Sequence, residues 1–131
     1  MLYLANVRDY IKTISSANNY YIGKLDNKKD KSVGVYDLKT SRKPIIALGG
    51  LENTSYNIKP ISILIHWNKN MKETEEESMK LYNALLGAND FDINDIHISH
   101  VELLEPQPID VGTDDSGVYE MVIECVFYYD R

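Results

Sequence analysis

The chain has 131 residues, a formal net charge of −6, 44% hydrophobic residues and a single cysteine. Its length predicts one domain with a core of its own, and one cysteine excludes an internal disulfide. No apolar run approaches the length of a membrane span, and Met1–Leu4 lacks a basic leader. We therefore expect a soluble domain made in the cytosol, with neither a signal peptide nor a membrane partner.

The net charge conceals an uneven distribution along the chain. Lys24–Lys43 holds seven basic residues and three aspartates, a net charge of +4. Glu73–Arg131 holds fifteen acidic residues and two basic ones, a net charge of −13. Such asymmetry can indicate a nucleic-acid or protein partner, although faces that are charged only for solubility give the same pattern.

The N-terminal quarter predicts a helix followed by a β-hairpin. Apolar residues recur at helical spacing over Leu4–Ile14, which is typical of an amphipathic helix. Tyr20–Leu25 and Ser32–Tyr36 are two aromatic or β-branched runs, and the polar segment Asp26–Lys31 separates them. Two such runs joined by a polar turn predict paired antiparallel strands.

The segment Asp37–Lys59 shows no sustained period and predicts a long functional loop. It contains the apolar island Pro44–Leu48, which would be unfavourable in water. Either a partner covers this island or the island folds back on the core. In the first case Ile45, Ile46 and Leu48 are candidate contact residues.

The middle of the chain predicts a strand and then a second helix. Alternating residues over Ile61–Trp67, opened by the preceding proline, indicate the clearest strand of the sequence. The spacing of Thr74 and Glu77 matches a capping box and places the helix start near Thr74. The apolar face extends to Leu86, and Gly87 is a typical helix stop.

The C-terminal third predicts two further strands. Ile96–Leu104 is a strand whose apolar positions change parity between Ile98 and Val101, which indicates a bulge. Val118–Tyr129 is apolar on nearly both faces and predicts a long central strand, reached through the polar connection Glu105–Gly117. Together, these elements predict a single α+β domain over residues 1–131, with a mainly antiparallel sheet of four to five strands and two helices on one face.

One acidic segment, Asp90–Asp95, imitates the start of a calcium-binding loop. The sixth position holds Asp95 where such a loop needs glycine, and the twelfth holds Val101 where it needs glutamate. We therefore predict an ordinary acidic loop and no calcium site.

No other residue pattern predicts a metal site or catalysis. The three histidines lack the usual ligand spacing, and Cys125 lies among large apolar neighbours in a predicted strand, which favours a core role. No serine lies in a nucleophile elbow and no carboxylate pair is singled out. We expect neither an enzyme nor a cofactor. The histidines are His66, His97 and His100.

The ten tyrosines form a further feature, because two pairs of them fall in predicted strands. Tyr20 and Tyr21 form one pair, and Tyr128 and Tyr129 form the other. Base stacking on an exposed sheet normally accompanies a basic surface, whereas acidic residues flank the second pair. Burial in a protein interface suits these rings better, so Tyr128 and Tyr129 are candidate interface residues.

Four segments carry a resemblance to a known family. They are Ile46–Gly50, Pro60–Asn70, Glu73–Glu75 and Pro108–Glu120, the last of which is an acidic, glycine-containing turn that leads into the final strand. Together with the order of elements, they resemble the minor capsid and tail terminator (head–tail joining) proteins of tailed phages and prophages of Gram-positive bacteria.

The resemblance implies a structural virion protein, made in the host cytoplasm, that assembles as a homo-oligomeric ring, commonly six-fold. Such a ring caps the tail tube, stops its polymerisation and offers a surface to the head connector. No cofactor is implied. The residues of the matching motifs would be framework and interface positions.

That implication suggests a role for the uneven charge and the long loop. The basic residues and the acidic C-terminal half could form complementary edges around the ring, and the loop could reach the tube or a neighbouring subunit. Acidic side chains that face the lumen would let DNA pass without specific binding. The charged candidates are Lys28, Lys29, Arg42, Lys43, Asp114 and Asp115.

Two alternatives stay open at this point. One is a head-completion or connector protein on the capsid side of the same joint. The other, of a different class, is a small nucleic-acid-binding module built on the tyrosine-bearing sheet and Lys24–Lys43, which would bind DNA in a salt-dependent manner.

Overall fold

The computed structural model describes residues 1–26, 28–39 and 56–130. Two helices lie in this part of the chain: α1 spans Leu4–Ile14 and α2 spans Met71–Leu86. The strands share one sheet, and their bounds in chain order are β1 Asn19–Ile22, β2 Ser32–Asp37, β3 Tyr56–His66, β4 Asn89–Ile93, β5 Ile96–Leu103, β6 Ile109–Thr113 and β7 Tyr119–Asp130.

The sheet has the order β1-β2-β3-β7-β5-β4, and β6 also pairs with β7. The long strands β3 and β7 pair antiparallel along their whole length and form its centre. The prediction of an α+β fold is confirmed. The predicted sheet was too small and too uniform, because the described residues form seven strands and one pair of them is parallel.

The predicted N-terminal hairpin is wrong, because β1 and β2 run parallel, with Asn19 opposite Ser32. After β1 the chain turns at Gly23, which has φ +67, and returns to the end of the sheet where β1 began. Leu25 passes over β2 at Gly34, where an added Cβ would lie 3.3 Å from the Leu25 side chain. Alternation identifies a strand but not its direction, so the pattern predicted the strands and missed their orientation.

Two further strands lie where the sequence predicted connections. The acidic segment Asp90–Asp95 is no loop: most of it belongs to the β4–β5 hairpin, which turns at Asn94 and Asp95. These two residues have φ of 46° and 68°, the left-handed geometry of a two-residue hairpin turn that Asn and Asp tolerate. Strand β6 occupies the middle of Glu105–Gly117 and has a bulge at Val111. The bulge predicted in β5 is confirmed beyond Ile98.

The predicted loop Asp37–Lys59 is shorter than the sequence suggested. Asp37 ends β2, and β3 begins at Tyr56, so Pro60 lies inside that strand, opposite Val126, instead of opening it. An ion pair of 3.1 Å between Lys59 Nζ and Asp37 Oδ1 joins the two strand ends. Residues 40–55, including the predicted apolar island, lie outside the described residues.

Helix α2 begins one turn earlier than predicted. Asn70 is the N-cap, and its side chain accepts a hydrogen bond of 3.2 Å from the Glu73 backbone N–H. Thr74 instead lies inside the helix, where its hydroxyl donates to the Asn70 carbonyl at 2.9 Å. The end of the helix at Gly87 is confirmed.

Both helices cover one face of the sheet and enclose the core. Alternate residues of β3 and β7 point to this face because strand side chains have a period of two. The opposite face carries the remaining strand positions, including Tyr128 and Glu124. The largest fully buried apolar side chains are Leu2, Val7, Ile11, Ile61, Ile63, Ile65, Leu81, Leu85, Ile98, Ile123 and Phe127.

Candidate functional site

The predicted contact residues fall into three groups in the structure. Lys28 and Lys29 lie in the connection from β1 to β2, and both are exposed. Asp114 and Asp115 lie in the turn between β6 and β7, and the tyrosine pair lies near the end of β7. Arg42, Lys43, Ile45, Ile46 and Leu48 lie outside the described residues.

The basic connection and the acidic turn lie at the same end of the sheet. One row of paired residues crosses five strands there and joins Asn19, Ser32, His66, Glu120 and Gly112. The basic connection leads into Ser32 of β2, the second strand of this row, and the acidic turn follows β6, the last strand of the row. The two oppositely charged segments therefore flank the end of β3, the basic one toward the β1 edge of the sheet and the acidic one toward the β6 edge.

A buried histidine holds the acidic turn against the sheet. His66, at the end of β3, has no solvent exposure, and its Nδ1 lies 3.0 Å from Glu120 Oε2 on β7. Its Nε2 lies 3.8 Å from Asp114 Oδ2. The side chain of His66 thus links β3, β7 and the turn, which fixes the position of the β6–β7 hairpin. From the sequence we found only that His66 lacks the usual ligand spacing, and we did not predict this buried role.

The two aspartates of the turn have different environments. Asp114 Oδ1 accepts hydrogen bonds of 2.9 Å from the Ser116 and Val118 backbone N–H groups, and its side chain is 12% exposed. The Val118 bond is the main cause that lowers the pKa of Asp114 below its usual 3.8. Asp115 is exposed. Asp114 therefore shapes the turn, while Asp115 is the aspartate available to a partner.

The two C-terminal tyrosines also differ. Tyr129 is buried in the core, and its hydroxyl lies 3.6 Å from the Met1 sulfur. Tyr128 is half-buried on the opposite face, where it stacks on His100 with ring centroids 4.2 Å apart. Its hydroxyl donates to Glu102 Oε1 at 3.0 Å. Only Tyr128 offers part of its ring to a partner.

The structure also has a groove that the sequence did not indicate. It lies between α1 and β4, has a volume of about 530 Å³, and includes the stacked rings of Tyr10 and Phe91, whose centroids are 4.6 Å apart. Asp9 and Asp92 lie on its wall. No sequence signal pointed to it, because its two walls are far apart in the chain. The groove presents no nucleophile paired with a base among its lining residues.

A second histidine joins two carboxylates beside this groove. His97 Nδ1 lies 2.9 Å from Asp92 Oδ1, and its Nε2 lies 2.9 Å from Asp90 Oδ1. The hydrogen bond that His97 donates to Asp92 is the main cause that raises the pKa of His97 above 6.5. These contacts join the two strands of the β4–β5 hairpin, so the aspartates of the acidic segment have a structural role.

The described residues offer little reactive chemistry. Cys125 is fully buried, and desolvation raises its pKa to about 12, so the thiol is not an activated nucleophile. Within residues 1–26, 28–39 and 56–130, no group of three or more His, Cys, Asp or Glu side chains is arranged to hold a metal ion. Neither helix in this part of the chain is long and apolar enough to cross a membrane.

Comparison with known proteins gives one match. The model of a family described as bacteriophage tail terminator protein matches residues 1–131, which is the whole chain. A search of curated proteins finds no match. The family match agrees with the resemblance found in the sequence. That the host is a Gram-positive bacterium stays a prediction.

Proposed function

The chain belongs to the bacteriophage tail terminator family, and on this premise we propose that it forms a ring that caps the tail tube, stops its growth and connects it to the head. The family is a structural one and is not known for enzymes. The chain is accordingly a virion component whose partners are phage tail and head proteins.

The position of the charged segments supports a ring. At one end of the sheet, the exposed Lys28 and Lys29 lie toward the β1 edge and the exposed Asp115 lies toward the β6 edge. When identical copies stand side by side around an axis, the basic side of each faces the acidic side of the next. A contact between two different surfaces of one chain is the kind that closes into rings.

The acidic remainder of the chain suits a passage for DNA. Glu73, Glu75 and Glu76 are exposed near the start of α2, and they repel phosphate wherever they face the lumen. We propose that the genome passes such a lumen without specific binding. Residues 40–55, with their basic and apolar side chains, are proposed to reach the tail tube or a neighbouring subunit.

The test is a binding experiment with both possible partners. Size-exclusion chromatography with light scattering measures the mass of the protein alone and after addition of tail-tube protein or of the head connector complex. The proposal predicts a ring, alone or on the tube, with about six copies. A protein that stays a monomer and binds neither partner would refute it, and binding to the connector alone would favour a head-completion protein.

A gel-shift experiment addresses the nucleic-acid alternative. The proposal predicts little affinity for double-stranded DNA, whereas a DNA-binding module would bind it with a strong dependence on salt concentration.

A further inference from the structure

Strands β1 and β6 each form an edge of the sheet, and the two edges lie at the same level along the strand direction. Through the pairing with β2, β3 and β7, the residues Asn19–Ile22 of β1 lie level with residues 120–123 of β7. Through direct pairing, Ile109–Thr113 of β6 lie level with residues 119–122 of β7. In the part of the chain that the structure describes, no strand pairs with the outer side of either β1 or β6.

The strand directions at these two edges are also compatible. β1 is parallel to β2, and each following pair in the row β2-β3-β7-β6 is antiparallel. β6 therefore runs opposite to β1. If a second copy is placed beside the first in the same orientation, its β1 lies antiparallel to the β6 of the first copy, which is a regular pairing.

The side chains at the two edges complement one another. Ile22 on β1 is 37% exposed, and Val111 at the bulge of β6 is 50% exposed, so each edge presents one apolar side chain. Lys28 and Lys29 lie exposed in the connection between β1 and β2, while Asp110 on β6 and Asp115 in the following turn are exposed. Contact between the two edges would cover apolar surface and bring opposite charges together.

From this juxtaposition we infer that the partner of the β6 edge is the β1 edge of a second copy of the chain, so that the sheet continues from subunit to subunit. The inference rests on the proposed ring and names the surfaces that build it. Because the two edges lie at the same level, a copy is added without a shift along the strands. A closed ring whose axis runs along the strands requires this, whereas an open helical filament needs a shift at each step.

Other pairings of edges fit the structure less well. A β1–β1 contact would close into a dimer and bring the lysines of two copies together, and a β6–β6 contact would do the same with the aspartates. The remaining edge, β4, is short and charged, and Asp90 interrupts it with φ of 52°. These features are typical of edges that resist pairing.

Cysteine cross-linking tests which edges meet. Asn19→Cys and Val111→Cys are introduced into one chain, because Asn19 and the bulge at Val111 lie at the same level along the strands, next to Glu120 of β7. The chain keeps Cys125 because that thiol is buried. Under mild oxidation, and with tail-tube protein present, the double variant is expected to give a ladder of covalent oligomers on a non-reducing gel. The matched control joins Val111→Cys to Leu86→Cys, since Leu86 is 62% exposed on α2, away from both edges, and it is expected to stay monomeric on that gel.

Two results would overturn the inference. If either single cysteine variant cross-links as well as the double variant, the contact joins like edges. If the protein binds tail tubes as a ring but the double variant gives no ladder, other surfaces join the subunits, and the proposed function stands without this interface. A ladder formed by a protein that never binds tubes would support the interface and refute the proposed function.

Charge exchange gives an independent measurement. Asp115→Lys, or Lys28→Glu with Lys29→Glu, brings like charges together and is expected to weaken self-association about tenfold or more. Combining all three substitutions restores opposite charges and is expected to recover most of the affinity. Lys72→Glu, at an exposed site on α2, is the control and is expected to change little. The absence of recovery in the combined variant would contradict the inferred contact.

Discussion

The buried histidine at the end of β3 allows a quantitative prediction about the β6–β7 hairpin. His66 has no solvent exposure and its Nδ1 lies 3.0 Å from Glu120 Oε2. A hydrogen bond to a charged group contributes about 1.5–3 kcal/mol. The Glu120 side chain is 21% exposed, so water recovers part of the loss when the histidine is removed. His66→Leu, which removes both ring nitrogens and keeps an apolar side chain in the core, is expected to cost about 2 kcal/mol of unfolding free energy.

Urea denaturation measures this cost. With a dependence of about 2 kcal/mol per molar urea, the midpoint is expected to fall by about 1 M. His66 makes further contacts, so the single variant does not isolate the bond to Glu120. A double-mutant cycle with Glu120→Gln does so, and the expected coupling energy is about 1 kcal/mol or more.

The result of the double-mutant cycle can also refute the role assigned to His66. If the two substitutions add within about 0.3–0.5 kcal/mol, the residues do not interact and the histidine does not hold the hairpin. If the coupling is present, the same variants are expected to weaken subunit association, because they loosen the strand inferred to carry the interface.

Three further predictions follow from individual side chains. The hydrogen bond from the Val118 N–H holds the pKa of Asp114 below 3.8, so the contribution of Asp114 to stability is complete at neutral pH and is lost as the pH falls through the folded-state pKa. Asp114→Asn should therefore make the urea midpoint less dependent on pH below about pH 4. An unchanged pH profile would contradict this. Burial raises the pKa of Cys125 to about 12, so a thiol reagent at about pH 8 should label the protein only in denaturant, and labelling of the folded protein would count against the structure. The hydrogen bond to Asp92 raises the pKa of His97 above 6.5, so the contribution of this bond to stability is complete below pH 6.5 and is lost as the pH rises through the folded-state pKa. Asp92→Asn should shift the NMR titration of His97 to lower pH. An unshifted titration would show that the bond is absent.

The strong periodic segments of the sequence predicted their elements correctly. Both helices, the central strands β3 and β7, and the bulge in β5 follow from the spacing of apolar residues, although α2 and β3 begin earlier than predicted. The direction of β1 does not follow from spacing. It depends on the return of the chain over Gly34, which is a tertiary contact.

The short strands β4 and β6 could not be predicted from alternation. Each has five residues, lies at an edge and is rich in aspartate or glycine, so its sequence resembles a turn. The pairing partner supplies the stabilisation that the segment lacks. β6 lies within the acidic segment that carried the family resemblance, yet only the structure shows that this segment includes an open sheet edge.

The candidate site shows the same division between sequence and structure. Uneven charge along the chain could be found by counting, and it predicted lysines and aspartates as contact residues. Counting could not show that Lys28 and Asp115 lie at the same end of the sheet, one toward the β1 edge and the other toward the β6 edge. This arrangement depends on the register of five strands. Nor could it separate the turn-forming Asp114 from its exposed neighbour, or the buried Tyr129 from Tyr128.

The most direct test of the central claim is electron microscopy of tail tubes assembled from purified tube protein with and without this chain. The account predicts that adding the chain stops tube growth and places a ring-shaped density, with subunits side by side, at one end of each tube. Tubes that grow to the same length distribution in its presence, with both ends bare, would contradict it.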